Sequence, residues 1–383
     1  MPLTLLLAVA TLAVSLVGAE LALRLARPLW VIPYPPVCYR PDLFQRWDPY
    51  GYRLWPSRTM QHRYPTPGGR LVTIVSNRDG FRSRRELHEA DGRRRVVVLG
   101  DSMVFGVGVE EAERCTEVLE ALEPGWRVDN LGMVGYGPDL MLRALEAVGL
   151  DPPPDVVVLL IFSHDVYRVA PEVPGVGFPL PRFALRSGRL ATVPYPERPA
   201  WQRLFLVQGL RYVQWRYTSA AFPLNEAILD RVIELGAQHR FTPAIVFAPG
   251  PRDWSDDRRR RRWLGAYAAR RQVPFLDLTE RVQAVGAEAL YLRNDAHWNP
   301  EGHRLVAREL QRFLRGTLGV RPGNRGERGE RAGERERQAQ RRPTRRACRH
   351  AAGGRSEQPS GSAATAALPR IVRRSRHDFP DGS

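Results

Sequence analysis

The segment Val156–Phe162 reads Val-Val-Val-Leu-Leu-Ile-Phe, an apolar run with no polar residue inside it. A strand with one wet face alternates, so an unbroken run is buried on both faces. In a sheet this means parallel strands covered by helices on each side. Similar but less purely apolar runs occur at Arg94–Gly100 (Arg-Arg-Val-Val-Val-Leu-Gly), Trp126–Leu131, Ala244–Phe247 and Val273–Leu278. Stretches of helical character alternate with them at about 110–123, 139–148, 224–238, 257–271 and 301–315. The alternation predicts an α/β fold, a three-layer α/β/α domain over 94–320 with a central parallel sheet of about five strands. Its ligand crevice lies at the carboxyl ends of the strands.

The remaining segments are of four kinds. Pro2–Ala19 is uncharged and mostly apolar, long enough at 1.5 Å per residue to span a thin hydrocarbon core. Residues 1–27 are therefore expected to form an uncleaved transmembrane anchor; cleavage after Ala19 is the alternative, since Val17-Gly18-Ala19 offers small residues there. Arg24 and Arg27 follow the run, which by the positive-inside bias favours a cytoplasmic C-terminal side. Residues 28–93, rich in Pro, Tyr, Trp and Arg, read as an irregular extension with short strands. An insertion at 167–222 opens with many prolines and glycines and continues as the amphipathic WQRLFLVQGLRYVQWRY; it reads as a lid or substrate wall, or else as a packing appendage. Asp256 and Asp257 open a helix at its positive dipole end, and Arg258–Arg262 are expected on its solvated face, or else as a patch for an anionic substrate or lipid headgroup.

Charge looks at first like a nucleic-acid signal. The net charge is +17, but 321–383 hold 16 arginines against 7 acidic residues and supply more than half of it. That tail is poor in apolar residues and is expected to be disordered; no nucleic-acid partner is expected for the rest. All 58 basic residues are arginine, which excludes lysine nucleophiles, Schiff bases and a P-loop lysine. Cys38, Cys115 and Cys348 have no metal-ligand spacing and are too few for a disulfide scaffold; a Cys38–Cys115 pair and two unrelated thiols both stay open.

Candidate chemistry collects where strands end. Gly100-Asp101-Ser102 leaves the first strand, and a serine on that turn projects its hydroxyl into the crevice, with backbone N–H groups beside it to hold an oxyanion. The second strand delivers Asn130–Gly137, whose glycines permit close backbone approach. The third ends at Ser163-His164-Asp165, polar residues expected at the crevice rim as hydrogen-bond donors. Near the end of the domain comes Asp295-Ala296-His297-Trp298, where an imidazole can take a serine proton while a carboxylate orients it.

Taken in order, Gly100-Asp101-Ser102, Gly135 within Asn130–Gly137, the Ser163–Asp165 block and Asp295-Ala296-His297 resemble the SGNH (GDSL-type) hydrolases over about 94–316. Ser76–Arg82 and the leading apolar segment resemble features of membrane-anchored bacterial members. The resemblance implies a flavodoxin-like SGNH fold and a serine esterase that needs no cofactor or metal. Ser102 would be nucleophile, His297 general base and Asp295 its orienting carboxylate; Ser102 and Gly135 would supply oxyanion N–H groups. It further implies an extracytoplasmic site, anchored to the membrane, acting on an O-acyl (O-acetyl) ester of an envelope glycan or lipid. Two positions depart from the family pattern. His164 stands where the family's Gly-X-Asn-Asp block supplies an Asn oxyanion donor, and only Ala296 separates Asp295 from His297 where two residues are usual. The Asp-X-His-Trp form resembles polysaccharide O-acetyltransferases, so an O-acyltransferase with the same triad is one alternative. A catalytically inactive glycan-binding module, motivated by His164, is the other.

Overall fold

The computed structural model describes residues 3–26, 41–64, 69–170, 180–193, 201, 204–251, 255–293, 295–317 and 319. Cys38, Cys348, the proline-rich opening of the insertion at 171–179 and the 321–383 tail lie outside the described residues.

Helix α1 (Leu3–Ala26) is apolar on every side, and none of its most apolar stretch is buried against protein. Its Leu3–Leu25 stretch, 23 residues, would reach about 35 Å. That is long and apolar enough to cross a membrane, a property an anchor shares with a signal sequence.

The short strands expected in the extension pair as two antiparallel hairpins: β1 (Phe44–Trp47) with β2 (Gly51–Leu54), and β3 (Thr59–Arg63) with β4 (Leu71–Val75). Their inward residues Phe44, Tyr52, Leu54, Ile74 and Phe81 are buried in the main core, which is why this segment is ordered despite its composition.

The domain proper begins at β5 (Arg94–Gly100), followed by the short α2 (Ser102–Phe105), α3 (Cys115–Leu122), β6 (Trp126–Gly132), α4 (Pro138–Ala144), β7 (Val156–Phe162) and α5 (Asp165–Arg168). Within the insertion lie the hairpin β8 (Arg182–Arg186) and β9 (Arg189–Val193), then α6 (Phe205–Tyr217). The chain returns through α7 (Phe222–His239), β10 (Thr242–Ala248), α8 (Ser255–Arg271), β11 (Phe275–Asp277), α9 (Thr279–Val285), α10 (Ala287–Leu290) and α11 (Pro300–Thr317).

Five strands form one parallel sheet in the order β11-β10-β7-β5-β6. Numbered along the chain this is 2-1-3-4-5, the flavodoxin-like arrangement, with its crossover point between β5 and β7. Alternation of side chains explains the unbroken runs. Val97, Leu99, Val157, Leu159, Ile161, Ile245 and Phe247 point to one face, against α4, α7 and α8. Val96, Val98, Val156, Val158, Leu160, Ala244 and Val246 point to the other, against α3, α9 and α11. Each such fully buried Val, Leu, Ile or Phe contributes about 1.5–3 kcal/mol.

In the charge run at the start of α8, Arg258 and Arg262 are exposed, as expected of a solvated face, and Arg260 is the correction to it. Asp257 and Arg260 are both buried: Asp257 accepts hydrogen bonds from the Ser163 hydroxyl and from Gly250 N–H at 3.1 Å, and Arg260 donates to Ser163 Oγ at 3.2 Å. Cys115 is a free thiol, wholly buried, and burial pushes its pKa up to about 12.

Candidate active site

Strand β5 ends at Gly100, and Asp101 turns the chain into α2 by accepting Met103 N–H at 2.8 Å on Oδ1, a side-chain N-cap. Ser102 is therefore the first residue of a helix at the carboxyl end of the sheet. The helix lies hard against β6: a Cβ on Gly132 would fall 2.5 Å from Phe105 N, so only glycine fits there. Behind α2, the guanidinium of Arg82 is buried among carbonyls, donating to Phe105 O at 3.2 Å, Gly106 O at 2.6 Å, Val109 O at 2.8 Å and Thr73 O at 3.1 Å. Burial lowers its pKa to about 9, so it remains a cation at neutral pH.

The loop before α11 brings His297 to the serine. His297 Nε2 lies 2.8 Å from Ser102 Oγ, and Nδ1 lies 2.5 Å from Asp295 Oδ1. The single intervening residue, Ala296, suffices because the same carboxylate oxygen also accepts His297 N–H at 2.8 Å, folding the loop back on itself. With Nδ1–H given to Asp295, Nε2 is left as an acceptor facing the hydroxyl. The Ser102 proton has a second acceptor in Asp101 Oδ2 at 3.2 Å. Tyr64, at the end of β3, donates its hydroxyl to Asp295 Oδ2 at 2.6 Å, and its oxygen lies 3.2 Å from Nδ1. Burial alone would raise the Asp295 pKa; the hydrogen bonds from His297 and Tyr64 and the charge of His297 instead hold it at about 2. Asp295 is thus a carboxylate throughout the neutral range.

Gly135 sits at φ +78°, a left-handed conformation that suits glycine, in a turn closed by Tyr136 N–H donating to Met133 O at 3.1 Å. The turn adjoins Ser102, since Met133 N–H donates to Gly100 O at 3.1 Å. Among the described residues no carbonyl accepts from the Ser102 or Gly135 N–H. The turn is clamped reciprocally: Tyr52 OH donates to Val134 O, and Tyr136 OH donates to Tyr52 O, both at 2.6 Å.

The third block behaves differently from its expected rim position. Ser163 and Asp165 are fully buried, the first paired with Asp257 and the second with Arg168; only His164 faces the crevice. Arg168 also donates to Asp101 Oδ2 at 2.7 Å and to Tyr136 O at 3.1 Å, joining the Ser102 turn, the Gly135 turn and the Ser163–Asp165 block through one cation. Burial and the neighbouring Asp101 push the Asp165 pKa well above the usual carboxylate range. Burial, then the charges of Arg216, Arg260 and Arg168, drive the His164 pKa well below its ordinary value. His164 is accordingly a neutral imidazole with one N–H to donate.

His164, Phe162, Gly250, Tyr291, Asp295 and Ala296 line a cleft of about 850 Å³ beside the triad. Ser102, His297 and Asp295 are brought together, with Gly135 in the adjoining turn and His164 on the cleft wall. Sequence reasoning missed Tyr52, Tyr64 and Arg168, which hold these groups and carry no spacing signal; Arg82 lay in the Ser76–Arg82 block, but its supporting role was not read from it.

A hydroxyl, an imidazole and a carboxylate in series at the carboxyl end of a five-strand parallel sheet define the class of serine-type hydrolases of three-layer α/β architecture. The particular family follows from comparison: the GDSL-like lipase/acylhydrolase family model matches residues 98–305, more than half of the chain, and the chain belongs to that family, an ester-hydrolysing one. Among solved structures the chain is similar to a lipase/acylhydrolase from Enterococcus faecalis, with TM-score 0.39 and 16% identity over 60% of this chain and 99% of that one. It is also similar to a lipolytic protein of the G-D-S-L family from Desulfitobacterium hafniense DCB-2, with TM-score 0.38, 17% identity and coverage of 58% and 100%. A third is a carbohydrate acetylesterase family member from Sinorhizobium meliloti, with TM-score 0.36, 16% identity and coverage of 59% and 100%. No curated protein matches the chain.

Proposed function

We propose that this protein is a membrane-anchored, extracytoplasmic serine esterase that removes an O-acyl group, of which acetyl is the leading case, from an envelope glycan or lipid. The observation that carries this reading is the continuous relay from Ser102 Oγ through His297 to Asp295, at 2.8 and 2.5 Å, with Asp295 and Ala296 on the wall of the cleft. Ser102 Oγ attacks the ester carbonyl while Nε2 of His297 takes its proton. Asp295 holds the imidazole in the required tautomer and stabilises its cation. The tetrahedral oxyanion is met by the N–H groups of Ser102 and Gly135 and by the neutral imidazole of His164. Collapse expels the alcohol, which leaves with the proton from His297; water then repeats the sequence on the acyl-enzyme and frees the acid. Tyr64 acts through Asp295 as a positioning residue. In this reading residues 94–320 are the catalytic domain, 28–93 its supporting extension and 1–27 the anchor.

A sugar hydroxyl can replace water in the second half-reaction, and the Asp-X-His-Trp spacing favours that acyltransferase as the second reading. The test is turnover of p-nitrophenyl acetate by the full chain in detergent, beside Ser102→Ala, with and without added sugar acceptor. Ser102-dependent release that is indifferent to acceptor supports hydrolysis. Release that needs the acceptor supports transfer. A folded protein with neither is the inactive module, and the proposal fails.

A further inference from the structure

Helix α6 turns an apolar stripe outward. Leu210 is 65% exposed, Val213 49% and Tyr217 50%, and their spacing of three and four residues puts them on one face; Trp201 and Leu204, just before the helix, are exposed as well. The opposite face packs inward through Trp215, which rests on the main core. A helix that buries one side and shows Leu, Val and Tyr on the other needs a second apolar phase to cover it.

The structure also places this stripe beside the anchor. The carboxylate of Glu20, near the C-terminal end of α1, accepts the Phe205 and Leu206 N–H groups at 3.0 and 2.9 Å, capping the first turn of α6. Arg24 of α1 lies over the Phe205 ring at 5.4 Å. Residues 201–217 contain no acidic side chain, while Arg211 lies 5.8 Å from the Trp201 ring and Arg216 follows a turn later. Apolar and aromatic residues on one side, with arginines among them and the one neighbouring carboxylate, Glu20, taken up by backbone N–H groups, match the phospholipid headgroup boundary, where aromatic rings settle and guanidinium groups meet phosphate.

We propose that α6 is an interfacial helix, lying with its Leu210–Val213–Tyr217 face in the headgroup layer of the bilayer that α1 crosses. The consequence reaches the active site. The far end of α6 abuts the cleft wall: the Arg216 carbonyl accepts from Arg259 at 2.9 Å and Arg260 at 2.8 Å, and both Arg216 and Arg260 lie over the Tyr167 ring, next to His164. Thirteen residues of helix, about 20 Å, therefore separate the anchor from the rim of the cleft, which is held close to the membrane surface.

The test reads position and not chemistry, so its outcome is independent of the esterase reading. The full chain, with Cys38→Ser and Cys348→Ser and the buried Cys115 retained, carries an environment-sensitive fluorophore at Val213→Cys and is reconstituted in phosphatidylethanolamine–phosphatidylglycerol vesicles. The emission is expected to shift to the blue and to be quenched several-fold more by a nitroxide-labelled phospholipid than by aqueous iodide. The same label at Gln238→Cys, on the exposed end of α7, is expected to show the reverse preference. Quenching at position 213 by iodide alone, matching position 238, overturns the proposal, as does failure of the folded chain to float with the vesicles.

Discussion

Replacing Tyr64 with phenylalanine removes one hydroxyl and leaves the ring that packs edge-on to His297 at 5.7 Å. The lost bond is a 2.6 Å contact to an ionised carboxylate, a type that contributes about 1.5–3 kcal/mol. Asp295 keeps two donors from His297, and its side chain is 12% exposed, so water makes up part of the loss. The lower end of that range applies, and about 1.4 kcal/mol is a factor of about ten. Because Tyr64 acts through Asp295 on the imidazole and lines no part of the cleft described above, the tenfold loss is expected in kcat, with KM unchanged. The assay is p-nitrophenyl acetate turnover per active site, the sites being titrated with a fluorophosphonate, beside a thermal melt. A purely structural tyrosine would lower Tm and the titrated fraction while leaving kcat per site intact. That pattern, or a kcat within twofold of the parent, refutes the reasoning.

Three further outcomes follow from the same site. Arg168→Met leaves Asp101 and Asp165 buried without their shared cation and is expected to cost about 3–5 kcal/mol in urea unfolding; an unchanged midpoint would contradict the pairing. His164→Ala removes an oxyanion donor and is expected to lower kcat about 100-fold, whereas His164→Asn restores a donor and recovers most of that loss; equal activities of the two variants would exclude the role. The Asp295 pKa is depressed in the folded state to about 2, so its contribution to stability is complete above the ordinary carboxyl value and is lost as pH falls from about 4 towards 2. The difference in stability between the parent and Asp295→Asn should therefore shrink across that window, and a pH-independent difference would show that Asp295 does not carry it.

The central sheet was legible because strands buried on both faces write themselves as unbroken apolar runs, and Val156–Phe162 matches its predicted limits to the residue. Ser102, His297 and Asp295 were legible because each sits in a short local pattern beside a strand or helix end. Their supports were not. Tyr52 reaches Val134 across 82 residues, and Tyr64 reaches Asp295 across 231, from a segment whose composition is that of an irregular loop. Nothing in a tyrosine's neighbours says which carboxylate it will find. Arg260 and Asp257 failed for a related reason: a charge run looks solvated from composition, and only the packing of α8 under the third loop shows that two of its members are buried against Ser163. The extension at 41–93 emerges as the frame of the site. It grips the carbonyls behind Ser102 through Arg82, the Gly135 turn through Tyr52 and the Asp295 carboxylate through Tyr64.

The most direct test of the central claim is to trap the intermediate. The full chain is mixed with p-nitrophenyl acetate, quenched in acid during turnover, digested and analysed by mass spectrometry. The account predicts one acetyl group on the peptide that carries Ser102, absent from Ser102→Ala and strongly reduced in His297→Gln, which lacks the base that both half-reactions use. Turnover with no acetylated peptide, or acetyl on a different residue, would contradict it.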